Sequence, residues 1–207
     1  MFGIHDLLVF IAAALLLIVT PGPDTALVVG QSLRHGARGG VLAALGVVAG
    51  CCVHVTAAAI GFSALLLASA AAFNAIKWIG VCYLAFIGVR MMFAAAGETA
   101  IPNEKAPGPA HAVFWQGFFT NVLNPKVALF FLAFLPQFID GNSPDKAAGF
   151  VLLGLMFTVA GAVWLTSVAL MASRSVARLG GFKAWFERLI GAALVAVAAR
   201  LVFAERS

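Results

Sequence analysis

The sequence predicts an all-α polytopic membrane protein of six transmembrane helices, arranged as two inverted three-helix repeats in which helices 1 and 4 are broken. Of its 207 residues, 63% are hydrophobic and 10% are charged, whereas about 25% of an average soluble domain is charged. Charge is absent from residues 39–76 and 147–173, and about 20 helical residues cross the hydrocarbon core of a bilayer. Matched proline breaks in the first and fourth apolar segments then indicate the repeat.

The composition also excludes some classes of function. Thirteen Lys and Arg against eight Asp and Glu give a net charge of +5, but these charges have no continuous polar face, so nucleic-acid binding is not predicted. The three cysteines, Cys51, Cys52 and Cys82, lie in apolar runs, where a thiol usually packs as a small hydrophobic group. We therefore expect no disulfide framework and no cofactor.

Six apolar segments are separated by charged residues and by Gly and Pro. They span about residues 6–31, 40–69, 73–95, 112–139, 147–171 and 184–204. The connection over residues 97–111 contains three prolines and is the one linker-like stretch. It divides a single transmembrane domain, residues 1–207, into a first repeat of about 6–96 and a second repeat of about 112–204.

Segment 1 is interrupted in its middle by Thr20-Pro21-Gly22-Pro23-Asp24. Residues 1–6 contain no Lys or Arg, so we expect the apolar run that follows to be retained as a span rather than cleaved as a signal peptide. Proline lacks an amide donor and suits the first position of a new helix, with Thr or Asn as the N-cap before it. We therefore expect a helix to restart at Pro21 with Thr20 as its N-cap.

Segments 2 and 3 are apolar throughout most of their length. Gly46 and Gly50 form a small-xxx-small pair, which is typical either of close helix packing within one chain or of a dimer interface. His54 lies far from both ends of segment 2. A hydrogen bond from this histidine to a neighbouring hydroxyl or carbonyl is the favoured interpretation, and a role in proton coupling is the alternative.

Segment 4 repeats the break of segment 1. Its Asn121, Asn124, Pro125 and Lys126 lie mid-segment, and residues 125–131 align with residues 23–29 at a constant offset of 102. Because three crossings reverse the direction of the chain, a repeated three-helix unit must be inverted relative to the first. Many secondary transporters with inverted repeats bind their substrate at the membrane midplane, between broken helices.

Asp24 and Lys126 occupy equivalent positions at the two breaks. A charged side chain at the bilayer centre costs about 2.5–3.5 kcal/mol on the insertion scale, so both should face the protein interior. We hypothesise that they bind the ammonium and carboxylate of a zwitterion, or pair with each other when no substrate is bound. Alternatively, Asp24 only stabilises a helix N-terminus, and Lys126 extends to an interface.

Segments 5 and 6 complete the six crossings, and the distribution of Lys and Arg predicts their orientation. With the N-terminus outside, four such residues fall on the outer side, Lys126 lies in the membrane, and eight fall on the inner side. These eight are Arg34, Arg38, Arg90, Lys105, Arg174, Arg178, Lys183 and Arg188. Because cytoplasmic loops are enriched in Lys and Arg, both termini are predicted to lie outside.

Two stretches resemble the signature sequences of the LysE/RhtB amino-acid exporters. They are Pro21-Gly22-Pro23-Asp24 and residues 121–138, which include Asn121, Asn124, Pro125 and Lys126. Further similarity runs through Gly50-x-x-x-His54, Lys77-Trp78, Gly191 and Arg200. The resemblance covers nearly the whole chain. It implies a bacterial inner-membrane carrier with inverted repeats that forms a homodimer and exports amino acids or close derivatives by using the proton-motive force.

We therefore expect a secondary transporter and not an enzyme, with an amino acid as substrate and alternating access around a midplane site. The expected substrate-binding or gating residues are Thr20, Pro21, Gly22, Pro23, Asp24, Asn121, Asn124, Pro125 and Lys126, and those for proton coupling are Asp24 and His54. Few acidic side chains lie in the membrane, which favours a neutral amino acid. One alternative is an intramembrane thiol oxidoreductase, although no Cys directly follows Pro23 or Pro125. The other is a metal-ion exporter, which needs clustered His, Cys or carboxylate ligands.

Overall fold

The computed structural model describes residues 2–68, 78, 82, 89 and 109–174. Apart from those single residues, the predicted segment 3 lies outside the described part, as do most of the linker 97–111 and all of segment 6. Within the described ranges the regular structure is helical, with one isolated antiparallel bridge between Ile4 and Ile139. The prediction of an all-α protein is confirmed for that part of the chain.

Five α-helices form the described structure. They are α1 (Leu7–Val19), α2 (Pro23–Ala68), α3 (Ala110–Val122), α4 (Pro125–Leu129) and α5 (Lys146–Ala172), and a π-helical turn (Phe130–Phe134) and a 3-10 turn (Leu135–Phe138) follow α4. By length and composition, Pro23–Gly61 within α2 and the whole of α5 suffice to cross a membrane. The pair of α3 and Pro125–Phe138, bent by 44°, is a third candidate span if the two helices cross together.

The first break lies between α1 and α2, and it differs in detail from the prediction. The backbone N–H and the hydroxyl of Thr20 both donate to the Leu16 carbonyl, at 3.0 and 2.6 Å, so Thr20 ends α1 instead of capping the next helix. The new helix starts at Pro23, not at Pro21. The cause is local: a residue before proline favours an extended backbone, and Thr20 has φ −57° and ψ 121°.

The second break matches the prediction. Asn124 is the N-cap of α4, Pro125 is its first residue, and the Asn124 side chain accepts a hydrogen bond from the Lys126 backbone N–H at 3.0 Å. The helix widens into a π-helical turn ahead of Pro136, which cannot donate a backbone hydrogen bond. The Gln137 side-chain amide donates to the Ala133 carbonyl at 2.7 Å and satisfies it where the ladder is disturbed.

A sharp turn at Gly36 replaces the loop that the sequence predicted between residues 31 and 40. Gly36 has φ 65° and ψ −168° inside α2, a conformation that is essentially restricted to glycine. Ser32 and Gly40 are in contact across it, although residues eight apart in a straight helix are separated by about 12 Å. The chain therefore doubles back within one residue, and α2 consists of two arms, residues 23–35 and 37–68.

The second arm of α2 packs tightly against α3. A side chain at Gly46 would collide with the Phe114 carbonyl, and one at Gly50 would lie 2.7 Å from the Phe118 carbonyl. From the other side, Gly117 lies against the backbone of Ala43. The Gly46–Gly50 pair is therefore a packing surface within the chain rather than a dimer interface, and the second arm runs parallel to α3.

Helix α5 packs against the same arm in the opposite direction. Gly40 contacts Ala169, and Cys51 lies 3.2 Å from the hydroxyl of Thr158, so residue numbers increase along one helix as they decrease along the other. The described part thus has two ends. One end holds Gly36, the start of α3 and the end of α5, and the other holds residues 2–6 and 139–146.

An aromatic core surrounds the two breaks on the side of α1. Six buried phenylalanines, Phe10, Phe130, Phe131, Phe134, Phe138 and Phe157, bring their rings into contact. Their ring centroids are as close as 4.5 Å, between Phe130 and Phe157, and aromatic pairs at such distances contribute about 0.5–1.5 kcal/mol beyond their burial. This core fixes the position of α1 and the π-helical turn, and with them the position of the breaks.

Candidate functional site

The two helix restarts have the same local geometry. The Gly22 carbonyl accepts from the Ala26 N–H at 2.9 Å, and the Asn124 carbonyl accepts from the Ala128 N–H at 3.0 Å. Each residue of the second pair lies 102 positions after its counterpart in the first. The restarts differ in their cap, since Asn124 contributes a side chain and Gly22 has none.

Asp24 lies in the first turn of α2 and is held by the second break. Its Oδ2 accepts hydrogen bonds from the side-chain amides of Asn121, at 2.9 Å, and Asn124, at 3.0 Å. Asn124 therefore acts twice, because its Oδ1 caps α4 while its Nδ2 binds Asp24. Only an amide side chain offers an acceptor and two donors in this way. The positive end of the α2 dipole further stabilises the carboxylate.

Lys126 lies in the first turn of α4 and reaches the first break. Its Nζ donates to the carbonyls of Leu17, at 3.0 Å, and Thr20, at 2.9 Å. These carbonyls belong to the last turn of α1, where helical partners are missing and the dipole is negative. A Cβ at Gly22 would lie 3.2 Å from Nζ, so the absence of a side chain there leaves room for the ammonium group. Lys126 of the second break thus binds carbonyls of the first break, and Asp24 of the first break binds side-chain amides of the second.

The hypothesis that Asp24 and Lys126 pair directly with each other is not supported by this structure. Among the described residues, no ion pair within 4.0 Å joins the Asp24 carboxylate to the Lys126 ammonium. The reason is that each central charge has neutral partners nearby, two amides for Asp24 and two carbonyls for Lys126. These hydrogen bonds satisfy both charges without bringing them together.

A cavity of about 50 Å³ lies between the breaks. Asp24, Thr25, Asn121 and Lys126 form its polar side. The Oδ1 atoms of Asp24 and Asn121 are buried and have no hydrogen-bond partner. Two free acceptors, one of them a carboxylate oxygen, fit a donor-rich cation such as a primary ammonium group.

The rest of the cavity wall is mostly apolar. It includes Leu17, Val127 and Phe157, together with Thr158 and Cys51. The Thr158 hydroxyl donates to the Gly154 carbonyl at 2.8 Å, and its oxygen can accept from the Cys51 thiol. Both polar groups are therefore paired with each other or with the backbone. No sequence signal identifies this pair, because Cys51 and Thr158 lie in different segments and belong to no recognisable motif.

The nine predicted site residues divide into two groups. Asp24, Asn121 and Lys126 line the cavity. The other six lie at the breaks, where they cap a helix, start one or connect two: Thr20, Pro21, Gly22, Pro23, Asn124 and Pro125. The sequence did not reveal the backbone carbonyls that bind Lys126, since any residue carries a carbonyl.

His54 adjoins the site through Asn121. Its Nε2 donates to the Asn121 carbonyl at 3.1 Å, which is the kind of partner that the sequence favoured. Its ring stacks on Phe131, with centroids 5.9 Å apart. His54 thus contacts the backbone of the residue whose side chain holds Asp24. Among the described residues there is no group of three or more His, Cys, Asp or Glu that could hold a metal ion.

The LysE type translocator family matches residues 15–205 of the chain. The chain is a LysE-type translocator. This membership confirms the resemblance seen in the two break motifs, both of which lie within the matched region. No solved structure matches the chain significantly.

Several relatives of this LysE-type translocator are similar over most of their length. A leucine efflux protein of Klebsiella pneumoniae subsp. pneumoniae is 30% identical over 209 residues, which cover 97% of this chain and 96% of the relative. A leucine efflux protein of Salmonella choleraesuis is 27% identical over 203 residues, with the same coverage. An uncharacterized membrane protein of Bacillus subtilis, YrhP, is 30% identical over 168 residues, which cover 77% of this chain and 80% of the relative.

Proposed function

We propose that this translocator is a secondary transporter that exports neutral, apolar amino acids of the leucine type across the bacterial inner membrane. The observation that carries the proposal is the cavity between the two breaks, which combines a carboxylate and a lysine with an apolar wall. The names of the leucine efflux relatives agree with this chemistry.

In the proposed complex, the substrate ammonium binds the free Oδ1 atoms of Asp24 and Asn121. The substrate carboxylate lies near Lys126, whose ammonium has three N–H groups and donates two of them to α1 carbonyls. The start of α2 adds the positive end of a helix dipole. An apolar side chain then meets Leu17, Val127 and Phe157, which need no polar partner.

The directions of the described helices support six crossings in two inverted repeats. The second arm of α2 and α3 run parallel to each other. Consecutive spans of a polytopic protein alternate in direction, so one further crossing must separate them. We propose that the apolar segment predicted from the sequence at about residues 73–95 is that crossing. The equivalent breaks at a spacing of 102 residues are what two copies of one three-helix unit would contain.

Charge at the two ends of the described structure supports an N-terminus outside the cell. The Gly36 end carries Arg34, Arg38 and Arg174, whereas the opposite end carries Asp6, Asp140, Asp145 and Lys146. The basic end therefore faces the cytoplasm by the positive-inside rule. Six crossings would return the C-terminus to the outer side.

Transport requires the cavity to change shape. A volume of about 50 Å³ accommodates roughly three to five water molecules, which is less than an amino acid needs. We propose that the two three-helix units rock against each other at the breaks and expose the widened site alternately on each side. We also propose a homodimer, formed by surfaces other than Gly46 and Gly50, since these are occupied within the chain.

The proton-motive force is the proposed energy source, and Asp24 and His54 are the proposed proton-binding groups. Asp24 contacts the proposed ammonium position directly, so binding of a proton and binding of substrate would compete there. His54 is linked to the same position through Asn121. A carboxylate that releases substrate when it is protonated couples the two flows.

Uptake into inside-out membrane vesicles tests the proposal. Under an imposed proton gradient, we expect vesicles containing the protein to accumulate labelled leucine, with little accumulation of lysine and less of threonine than of leucine. Asp24→Asn should abolish gradient-driven accumulation and strongly reduce leucine exchange, because the amide binds no proton and, like the protonated carboxyl, has no negative charge to hold the substrate ammonium. His54→Gln is the comparison for the second proton-binding group. The absence of gradient-dependent accumulation of every amino acid tested would refute the proposal.

A further inference from the structure

Most glycines inside the described helices are explained by close packing. A Cβ at Gly154 would lie 2.9 Å from the Val55 side chain, and one at Gly149 would lie 2.7 Å from the Phe2 carbonyl. Gly161 of α5 is different, since no described atom lies within 4 Å of the position that its Cβ would take. Glycine is less favourable than alanine inside a helix, and no neighbour in the described part requires it here.

Gly161 also lines the central cavity. It lies on one face of α5 with Thr158 and Leu165, three residues before it and four after it, which is the spacing of one helix face. Both of these residues line the same cavity. The space beside Gly161 that no described atom occupies is therefore on the cavity side of the helix, on the wall formed by α5.

We propose that Gly161 determines the size of the substrate side chain that the site accepts. This inference rests on the proposed function, in which Asp24 and Asn121 hold the substrate ammonium on the polar side of the cavity. The side chain of the bound amino acid then extends toward α5 and occupies the volume that a side chain at position 161 would take. A glycine there makes room for a branched side chain such as that of leucine.

Substitutions of increasing size at this position provide the test. We expect Gly161→Ala, and more strongly Gly161→Val, to reduce the export of leucine relative to alanine. Filling a binding pocket by one or a few carbon atoms changes discrimination by about 10–200-fold. Gly161→Val should therefore lower the leucine-to-alanine ratio of Vmax/KM at least about tenfold, and Gly161→Ala should lower it less.

Gly61 offers a matched control. It is also helical, and no described atom lies within 4 Å of its Cβ position, but it is not among the residues that line the cavity. Gly61→Ala and Gly61→Val should leave the leucine-to-alanine ratio within about twofold of wild type. Both substitutions introduce the same helix propensities as those at Gly161, so they control for effects on folding.

The assay uses labelled leucine and labelled alanine in inside-out vesicles, with the amount of folded protein measured by size-exclusion chromatography in detergent. A ratio that stays within twofold of wild type in Gly161→Val, or in Gly161→Ala if the valine variant does not fold, would overturn the inference. So would an equal change in the Gly61 variants. If the wild type transports neither amino acid, the proposed function fails with it, whereas wild-type transport with an unchanged ratio overturns the role of Gly161 alone.

Discussion

Asn124 connects the two helix breaks through a single side chain. Its Oδ1 caps α4, and its Nδ2 donates to Asp24 at 3.0 Å. An N-cap contributes about 1 kcal/mol, and a hydrogen bond to a charged group about 1.5–3 kcal/mol. The bond to Asp24 is therefore the larger contribution, and the two contributions can be separated by substitution.

An exchange of the two side chains tests this division. Asn124→Asp keeps an N-cap but places a second carboxylate beside Asp24, so we expect its thermal unfolding midpoint in detergent to fall. Adding Asp24→Asn restores one amide and one carboxylate, and the midpoint should recover by at least half of the loss. Asn124→Ser is the control that keeps an N-cap and removes the side-chain amide that donates to Asp24. A double variant no more stable than Asn124→Asp would show that the contact with Asp24 has little energetic effect.

For single residues, the sequence predicted that Asp24 and Lys126 lie at the site but did not predict the groups to which they hydrogen-bond. Asp24 and Lys126 were identified because placing a charged side chain inside a membrane costs free energy. Direct pairing of the two charges, one of the two arrangements that we hypothesised, is not seen within 4.0 Å, and the sequence does not show which neutral groups lie closer to each charge. Thr20 was assigned to the wrong helix for a similar reason: its hydroxyl can cap a following helix or bond to the carbonyl four residues before it, and the structure has the second arrangement.

At the scale of the helices, Lys126 joins the start of α4 to the end of α1. Its ammonium satisfies two carbonyls that have no helical partner. Inside a membrane an unsatisfied backbone group costs several kcal/mol. The interaction therefore stabilises the end of α1 in addition to any role in binding substrate.

Lys126→Met removes the charge and keeps an unbranched side chain. We expect a loss of about 2–4 kcal/mol in the free energy of unfolding, since one charged donor and two carbonyls lose their bonds. The change should be detected as a lower unfolding midpoint and as faster hydrogen exchange in the last turn of α1. Gln137→Met, which removes a neutral bond to one carbonyl, is the matched comparison and should cost less. Equal losses in the two variants would mean that Lys126 is not a principal support of the break.

Helix boundaries show why some elements were predictable and others were not. Segment 5 was predicted at 147–171 and is observed as Lys146–Ala172, because charge marks its ends. The start of α4 at Pro125 was predicted because Asn124, directly before this proline, can act as the N-cap. The turn at Gly36 was missed, since Gly36, Gly39 and Gly40 look alike in sequence and only their packing distinguishes them. Gly39 and Gly40 are in close contact with the first arm, and Gly36 alone has a positive φ.

For the whole molecule, the sequence predicted orientation from charge, and the structure adds which residues share an end. Arg34, Arg38 and Arg174 come from three parts of the chain that meet near Gly36. The acidic residues Asp140 and Asp145 lie at the other end, beside residues 2–6. The bent pair of α3 and Pro125–Phe138 connects the two ends, so the topology can be tested with one residue on each side of it.

Cysteine labelling provides that test. In a variant whose three cysteines are replaced by alanine, single cysteines are introduced by Ala110→Cys at the start of α3 or by Asn142→Cys before α5, both of which are exposed positions. A membrane-impermeant maleimide should label only Asn142→Cys in intact cells and only Ala110→Cys in inside-out vesicles, because the basic Gly36 end faces the cytoplasm. The reverse pattern would contradict the proposed orientation. Labelling of both positions from one side would show that the bent pair does not cross the membrane.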